Sequence, residues 1–476
     1  MAARGGSARF YHDVSLRGPV PDRLLLRVGI DQGPEPALAR RLARLAEEDA
    51  ASLFARGTSS FAFLQGFGWL DALAHREDGR HVAGALWGPW AREHGRYAPR
   101  AWAPPLAAAR VEHALRHAPL LLEGRDAPVR EQVFGMLIRS VRHLARSARR
   151  GELGLHVLAR ATLGALALPG AADHERALRA PLGAACARLS RGDLPPELGE
   201  PQAALALART LTALSDAYDT RGLTPPPGLG EASGAGRLLI GGLLSGATLA
   251  VLPGGVEGDA DLLDALRPLA RPEGDDLVRS FGAERASAGD AVLHVALRGP
   301  AAGAVAFAQG DARLLTAAGA PRLGLRALDS GLARWAEALT GPAAAATLDA
   351  DGFGDAAVAR EEENGETLIS LTRRGPGGRH ERRLHLDRGG VLRGEDVAPT
   401  AGAIFRFPLP PTLEARPSED QRATLVGRDG RSWRFEASCE VAVEEGRYSG
   451  GGEPAPAAQL VLRPEREGVR WALRRV

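Results

Sequence analysis

The stretch DAVLHVALRGPAAGAVAFAQGDARLLTAAGAP, residues 290–321, contains three short runs of strand-forming residues separated by turn residues. Val292–Leu297 and Val305–Phe307 flank a Gly-Pro turn, and Arg313–Thr316 follows a Gly-Asp turn. Short apolar and β-branched runs that end at glycine, proline or aspartate are typical of antiparallel strands. The stretch therefore predicts a β-meander.

The same alternation continues on both sides of this stretch, from about residue 241 onward. Evenly spaced short strands that are separated by Gly, Pro or Asp-Gly turns indicate stacked antiparallel sheets, and so a large β-sandwich. The further predicted strands are Thr248–Leu252, Thr367–Thr372, Arg382–Leu386, Ile404–Phe407, Ala423–Val426, Ser432–Ala437, Glu440–Glu444, Gln459–Leu462 and Arg470–Arg474.

Residues 35 to about 220 follow a different period, because their apolar residues recur every three or four positions. Helix pairs of this length predict an incomplete α/α toroid, and a helical solenoid is the alternative, although no fixed repeat supports it. With a break at Pro225–Pro227, we predict a toroid domain over 1–232 and a sandwich domain over 233–476. The predicted helices are Pro36–Phe54, Leu106–Glu123, Val129–Arg149, Leu153–Leu168, His174–Ser190 and Gln202–Arg221.

Composition narrows the class of protein further. The chain has 476 residues, 45% of them hydrophobic and 25% charged, which is typical of a globular protein with two substantial cores. Its net charge of +2 gives no support for nucleic-acid binding, and every basic side chain is an arginine. An acidic polymer would have to be held by a local arginine cluster rather than by an overall field.

Two cysteines, Cys186 and Cys439, lie far apart in the sequence, which argues against a disulfide framework. The N-terminal residues lack the apolar run of a secretory signal, and no run is long enough to span a membrane. We therefore expect a cytoplasmic protein, with a periplasmic location as the alternative. No histidine pair has the spacing of a metal site, so we expect neither metal nor cofactor and no insertion into a membrane.

Several motifs resemble the bacterial heparinase II/III family of polysaccharide lyases. They include FYHDVSLRG (10–18), FLQGFGWLDAL (63–73), HAPLLLEG (117–124), GGVEGD (254–259), HERRLHLDRGGVLRGEDV (380–397) and RFPLPP (406–411). The resemblance implies the toroid and sandwich fold. It also implies β-elimination on acidic, uronate-containing polysaccharide or oligosaccharide, and the sequence at residues 290–321 matches the start of the family's sandwich domain.

Elimination requires a group that neutralises the uronate carboxylate, a base at C5 and an acid at the leaving oxygen. Matched to the family's motifs, the histidine and asparagine positions that would supply these groups hold other residues here. These positions are Pro196, Glu200, Pro253, Gly299, Ala301, Ala345, Pro408, Pro410 and Gln65, and Leu198 stands where the motif has a serine. The resemblance therefore implies an enzyme with weak or lost activity.

The remaining candidate catalytic residues are Tyr97, Tyr218 and His380. Candidate substrate-binding residues are Gln65, Trp69, Trp102, Arg110 and His113, which lie in or near an aromatic cluster in the first third of the chain. Sugar rings stack on such aromatic faces, but tryptophans that fill gaps between helices give the same pattern.

Other interpretations stay open. Arg393 beside Glu395 and Asp396 predicts an ion pair that closes a turn, and His380 on an alternating strand fits either a cleft or a core. The glycine-rich pieces 228–237 and 446–454 predict linkers. Alternative functions are a non-catalytic protein that binds polysaccharide or a partner, and a toroid glycoside hydrolase that uses Asp193, Glu197 and Glu200.

Overall fold

A computed structural model describes most of the chain and divides it into two compact units. One unit comprises 1–195, 206–236 and 323–330, and the other comprises 196–205, 237–322 and 331–476. The described residues are 10–29, 36–55, 61–151, 153–195, 198, 201–245, 248–249, 252, 275–299, 301–319, 347–348, 352–375, 378–398, 402–419, 421–450 and 454–476.

The first unit is helical, and each long predicted helix is present within a few residues of its predicted bounds. The exception is Leu106–Glu123, which is two helices separated at His117, because Pro119 has no N–H with which to continue the first. The described α-helices of the chain, of which the last lies in the second unit, are α1 Pro36–Ala55, α2 Phe61–Gln65, α3 Trp69–Leu73, α4 Gly79–His94, α5 Pro104–Arg116, α6 Ala118–Leu122, α7 Ala127–Ala148, α8 Leu155–Ala167, α9 Ala172–Ser190, α10 Pro201–Thr220, α11 Leu229–Gly242 and α12 Asp275–Phe281.

The glycine-rich segment 228–237 is helical rather than a linker, so that prediction is wrong. It forms most of α11, which also contains the predicted domain boundary at residue 232. A β-carbon at Gly236 would lie 3.5 Å from the backbone of Ala208 on α10. This is an ordinary van der Waals distance, so α11 packs directly on α10 here, and the low helix propensity of its glycines does not prevent the helix.

The second unit is strand-rich, and the predicted meander is confirmed as three consecutive antiparallel strands, β4 to β6. The second glycine-rich piece, residues 446–454, begins inside β16. The described strands are β1 Leu244–Ser245, β2 Thr248–Leu249, β3 Ala283–Ala288, β4 Ala291–Ala296, β5 Val305–Gln309, β6 Ala312–Leu315, β7 Thr347–Leu348, β8 Ala357–Glu363, β9 Glu366–Gly375, β10 Gly378–Leu386, β11 Leu392–Val397, β12 Phe405–Pro408, β13 Leu413–Glu419, β14 Arg422–Gly427, β15 Ser432–Ala437, β16 Val441–Tyr448, β17 Ala455–Leu462 and β18 Gly468–Arg475.

The larger described strands form three sheets. An eight-stranded sheet has the order β13-β14-β15-β18-β11-β10-β9-β8, and two four-stranded sheets have the orders β16-β17-β12-β7 and β3-β4-β5-β6. In the largest sheet, β18 pairs with β11 on one side and with β15 on the other. Two blocks of neighbouring hairpins are therefore joined by a strand that follows both of them in sequence.

One apolar core lies between these sheets and includes Leu293, Leu384, Phe407, Leu460 and Trp471. Burial alternates along the strands of the large sheet, as expected when one face covers a core and the other faces solvent. The two units together have the fold class predicted from the sequence, a helical toroid followed by an antiparallel β-sandwich. Among the described helices, none is long and apolar enough to cross a membrane.

Candidate functional site

Two of the predicted sugar-binding residues, Gln65 and Trp102, contact the buried guanidinium group of Arg110. Arg110 Nε donates to the carbonyl oxygen of Gln65 at 2.9 Å, and Nη2 donates to that of Ala101 at 2.5 Å. Its guanidinium carbon lies 4.8 Å from the ring centre of Trp90 and 5.3 Å from that of Trp102. Burial lowers the pKa of Arg110 to about 9, and the carbonyls and ring faces compensate the charge.

These residues belong to the interior of the first unit. Trp69, Trp102 and Arg110 are 0% exposed, and Gln65 is 1% exposed. Gln65 Oε1 accepts a hydrogen bond of 2.8 Å from Trp90 Nε1, which fixes both side chains. A ring without exposed surface cannot stack against a sugar, so their burial favours the alternative in which the tryptophans fill gaps between helices.

His113 belongs to a second buried cluster, on helix α5. Its Nδ1 lies 2.7 Å from the carbonyl oxygen of Gly66, and its Nε2 lies 3.2 Å from Asp71 Oδ2. The other carboxylate oxygen, Oδ1, accepts from His117 Nε2 at 2.5 Å. Because both ring nitrogens of His113 face acceptors, the cluster favours a protonated imidazolium at this position.

The pKa values of the two histidines shift in opposite directions. Burial would lower the pKa of His113, but the charge and hydrogen bond of Asp71 outweigh it, and the net shift is upward. Burial lowers the pKa of His117 despite the same carboxylate. One proton charge therefore balances the Asp71 carboxylate, whose own pKa lies well below its usual range.

Tyr218, a candidate base, is buried and already engaged. Its hydroxyl donates to Glu175 Oε1 at 2.6 Å. Burial, and then this neighbouring carboxylate, raise the pKa of Tyr218, so loss of its proton is disfavoured. A tyrosine that acts as a base needs a lowered pKa, so the surroundings of Tyr218 favour a structural role for this side chain.

Tyr97 retains partial exposure. Its ring packs against Tyr11 at 4.7 Å between centres, His143 at 5.5 Å and Trp102 at 6.0 Å. The hydroxyl of Tyr11 lies 3.0 Å from Nδ1 of His143. Among the three candidate catalytic residues, Tyr97 is the one that retains accessible surface.

His380 faces the sandwich core. On β10 it lies on the same face of the strand as Arg382, Leu384 and Leu386, all of which are buried. Arg373 Nε donates to His380 Nδ1 at 2.8 Å, and His380 Nε2 lies 3.0 Å from Asp396 Oδ1. These partners assign a neutral imidazole with its proton on Nε2, in agreement with its lowered pKa, for which burial is the main cause.

Asp396 connects this histidine to two further donors. Arg382 donates to its two carboxylate oxygens at 2.6 Å from Nε and 3.1 Å from Nη2, and Trp471 Nε1 donates at 2.9 Å. The guanidinium and His380 outweigh complete burial and lower the pKa of Asp396. The network has the properties of a satisfied core ion pair.

Arg393 forms an ion pair, but its partner is Asp387 and not the predicted Glu395 or Asp396. Arg393 Nη1 bonds Asp387 Oδ2 at 2.7 Å, and Asp387 Oδ1 accepts from the backbone N–H groups of Gly389 and Val391. The arginine does close the turn between β10 and β11. Asp396 points to the opposite, buried side of the sheet, because adjacent strand positions alternate in direction.

The turn that contains Gly299 and Ala301, which the family resemblance matches to two histidines, has a geometry of its own. Gly299 has a φ of 79°, which disfavours any other residue, and Ala301 is buried. Of the other positions that the sequence analysis singled out, Pro196, Glu197, Glu200, Pro253 and Ala345 lie outside the described residues. In the part of the chain that is described, no group of three or more His, Cys, Asp or Glu has the arrangement of a metal site.

Sequence reasoning missed Asp71 and His117, which complete the cluster of His113. A signal was present, because His113 and His117 are one helical turn apart and therefore share a helix face. Asp71, 46 positions from His117, has no comparable signal in the sequence.

No protein-family model and no curated protein sequence matches the chain. Solved structures match its fold. Heparinase III superimposes with a TM-score of 0.64 and 10% identity, over 99% of this chain and 90% of that chain. Heparan sulfate lyase HepC from Pedobacter heparinus superimposes with a TM-score of 0.54 and 13% identity, over 100% of this chain and 88% of that chain. The chain therefore has a polysaccharide-lyase-like fold.

Proposed function

We propose that this protein binds acidic, uronate-containing polysaccharide or oligosaccharide and performs β-elimination weakly or not at all. Its likeness in fold to heparinase III and to a heparan sulfate lyase, over nearly the whole chain, carries the binding part of the proposal. This is an argument from fold, and the environments of individual residues support the second part.

The second part rests on the two candidate bases that are fully engaged. Tyr218 donates its proton to Glu175, and His380 is held between Arg373 and Asp396 in the sandwich core. Neither side chain has a free face toward a substrate C5 proton. Losing one preorganised group typically costs a factor of about a hundred to a thousand in rate.

Ultraviolet absorbance tests elimination directly, because each cleavage creates a 4,5-unsaturated uronate. We expect the rate on heparan sulfate, chondroitin, alginate and hyaluronan to be at least about a hundredfold below that of heparinase III. Any residual rate should fall in Tyr97→Phe, while the matched variant Tyr218→Phe should leave it unchanged. A rate comparable to heparinase III would contradict the proposed loss of activity.

Binding is measured separately, by retention on immobilised heparan sulfate at low ionic strength. Retention should decrease with added salt, because exposed guanidinium groups are screened over about 10 Å at 0.1 M. A protein that passes through the column like bovine albumin at low salt would contradict the binding part, whatever the elimination assay gives.

A further inference from the structure

The first unit contains a cavity of about 520 Å³ whose lining is separate from the buried aromatic and histidine clusters except at Trp90. Its charged and polar walls come from His12, Asp13, Arg92, Arg96 and Arg139, and the indole of Trp87 forms part of its apolar wall. This volume is in the range of small-molecule sites, which combine an apolar wall with a few placed polar groups.

Two helices and the N-terminal segment position these walls. On α4, the pairs Trp87/Ala91 and Gly88/Arg92 each have four-residue spacing, and on α7 Met136 and Arg139 are three residues apart, so each pair lies on one side of its helix. The segment that carries His12 contains the short π-helical turn Tyr11–Ser15.

Arg142 on α7 attaches this segment to the helix. Its Nη1 donates to the carbonyl oxygen of Leu16 at 3.0 Å, and its Nη2 donates to that of Pro19 at 2.7 Å. Gly18 has a φ of 151°, and a β-carbon there would lie 2.6 Å from Arg142 Nη2, so a side chain at this position would displace the guanidinium group. The motif 10–18 therefore places His12 at the cavity.

Positive charge exceeds negative charge around the cavity. Arg92, Arg96 and Arg139 form no salt bridge with a described residue, and the one carboxylate of the lining, Asp13, lies 2.8 Å from His12 Nδ1. The hydrogen bond from His12 and the nearby Arg96 and Arg139 lower the pKa of Asp13. Three guanidinium groups facing one carboxylate leave room for a further anion.

Two buried nitrogen atoms of the lining have no hydrogen-bond partner among the described residues. They are Nε2 of His12, a residue only 8% exposed, and Nε1 of Trp87. A buried polar atom without a partner is costly, so such atoms are rare unless a ligand or ion completes them. Because His12 Nδ1 lies against Asp13, Nε2 is the ring nitrogen that is left for a hydroxyl group of a ligand.

We propose that this cavity binds one anionic sugar ring, with its carboxylate or sulfate at Arg92, Arg96 and Arg139 and its hydroxyl groups at His12. The indole N–H of Trp87 donates to a ring or hydroxyl oxygen, and its ring covers an apolar face. The inference rests on the proposed function and adds a location and a recognition chemistry to it. Charge selects the anion, while the two unpaired nitrogens distinguish a hydroxylated ring from a bare inorganic ion.

The test is a calorimetric titration with glucuronate, glucose 6-sulfate, neutral glucose and inorganic sulfate, supported by tryptophan fluorescence. The wild-type protein should bind one or both anionic sugars at least about tenfold more tightly than glucose or sulfate. Preference between glucuronate and glucose 6-sulfate identifies the anionic group. The double variant R96Q/R139Q should weaken this affinity at least about tenfold, because each guanidinium makes charge-assisted hydrogen bonds.

R188Q/R191Q is the matched control, because it removes two exposed arginines of the same unit that do not line the cavity. His12→Ala should weaken the binding of the two anionic sugars more than the binding of inorganic sulfate. Circular dichroism checks that the variant is folded. Equal affinities in R96Q/R139Q and in the control would overturn the site, and so would a wild-type protein that binds neither anionic sugar. In both cases retention on immobilised heparan sulfate still decides the proposed function on its own.

Discussion

Each unit buries an aspartate that contacts a histidine, but different cations balance the two carboxylates. In the helical unit, Asp71 is shared by His113 and His117. In the sandwich, Asp396 accepts from both Nε and Nη2 of Arg382 as well as from His380. The first carboxylate therefore depends on an imidazolium for its counter-charge, and the second depends on a guanidinium.

This difference separates a network that titrates from one that does not. Asp396 is held by both Nε and Nη2 of a guanidinium group, which gives up a proton far less readily than an imidazolium. His113 can release its proton, and Asp71 then remains buried beside two neutral rings. Two clusters of similar composition should thus respond differently to alkaline pH and to loss of the carboxylate.

The largest loss of stability is expected for Asp396→Asn. The variant leaves Arg382 buried without its anion, which should cost the sandwich about 3–5 kcal/mol. Hydrogen exchange of peptides from residues 378–398 measures this local loss. The matched control is Glu395→Gln, because the neighbouring carboxylate pairs with the exposed Arg470 and should contribute less than about 1 kcal/mol. Similar losses in the two variants would contradict the assignment of a buried ion pair.

Asp71→Asn should cost less, about 1–3 kcal/mol at pH 8, as for a buried hydrogen-bonded group. Without the carboxylate, His113 can release its proton and become neutral, so that no uncompensated charge stays buried. The guanidinium group of Arg382 releases its proton much less readily. Hydrogen exchange of peptides from residues 61–122 gives the measurement. A loss as large as that of Asp396→Asn would show that proton release does not relieve this site.

The smallest effect is a pH dependence that belongs to His113. Its folded-state pKa is raised above 6.5, so its contribution to stability is complete below that pH and is lost as pH rises through the folded value. Denaturation of the helical unit should show a stability that declines as pH rises above 6.5. In His113→Gln that decline should disappear. A wild-type stability that rises across this range relative to the variant would contradict the sign.

The change of period near residue 227 was sufficient to predict the fold, because helices and strands place apolar residues at different spacings. The burial of His380 could also be predicted from the sequence, because it lies an even number of positions from Leu384 and Leu386 and therefore on the same face of the strand. An apolar face that includes a histidine and an arginine requires a buried anion, and Asp396 supplies it. This inference was available from alternation alone.

The geometry around Arg110 was not available in the same way. Its partner Gln65 is 45 positions away, and the contact depends on how two helices pack rather than on any local pattern. The cavity beside His12 depends on Arg142, which lies 126 positions from Leu16. Aromatic and arginine residues in the sequence indicated a cluster, but only tertiary packing decides which of them are buried.

The position of β18 in the eight-stranded sheet also has a consequence for synthesis on the ribosome. Before residues 468–475 emerge, β11 and β15 each present an unpaired edge, and the backbone groups along such edges readily pair with other chains. The pairing between β11 and β18 joins residues about 75 positions apart, which is a slow step to nucleate. The nascent sandwich is therefore most exposed to aggregation just before its central strand arrives, when chaperones would have the greatest effect on yield.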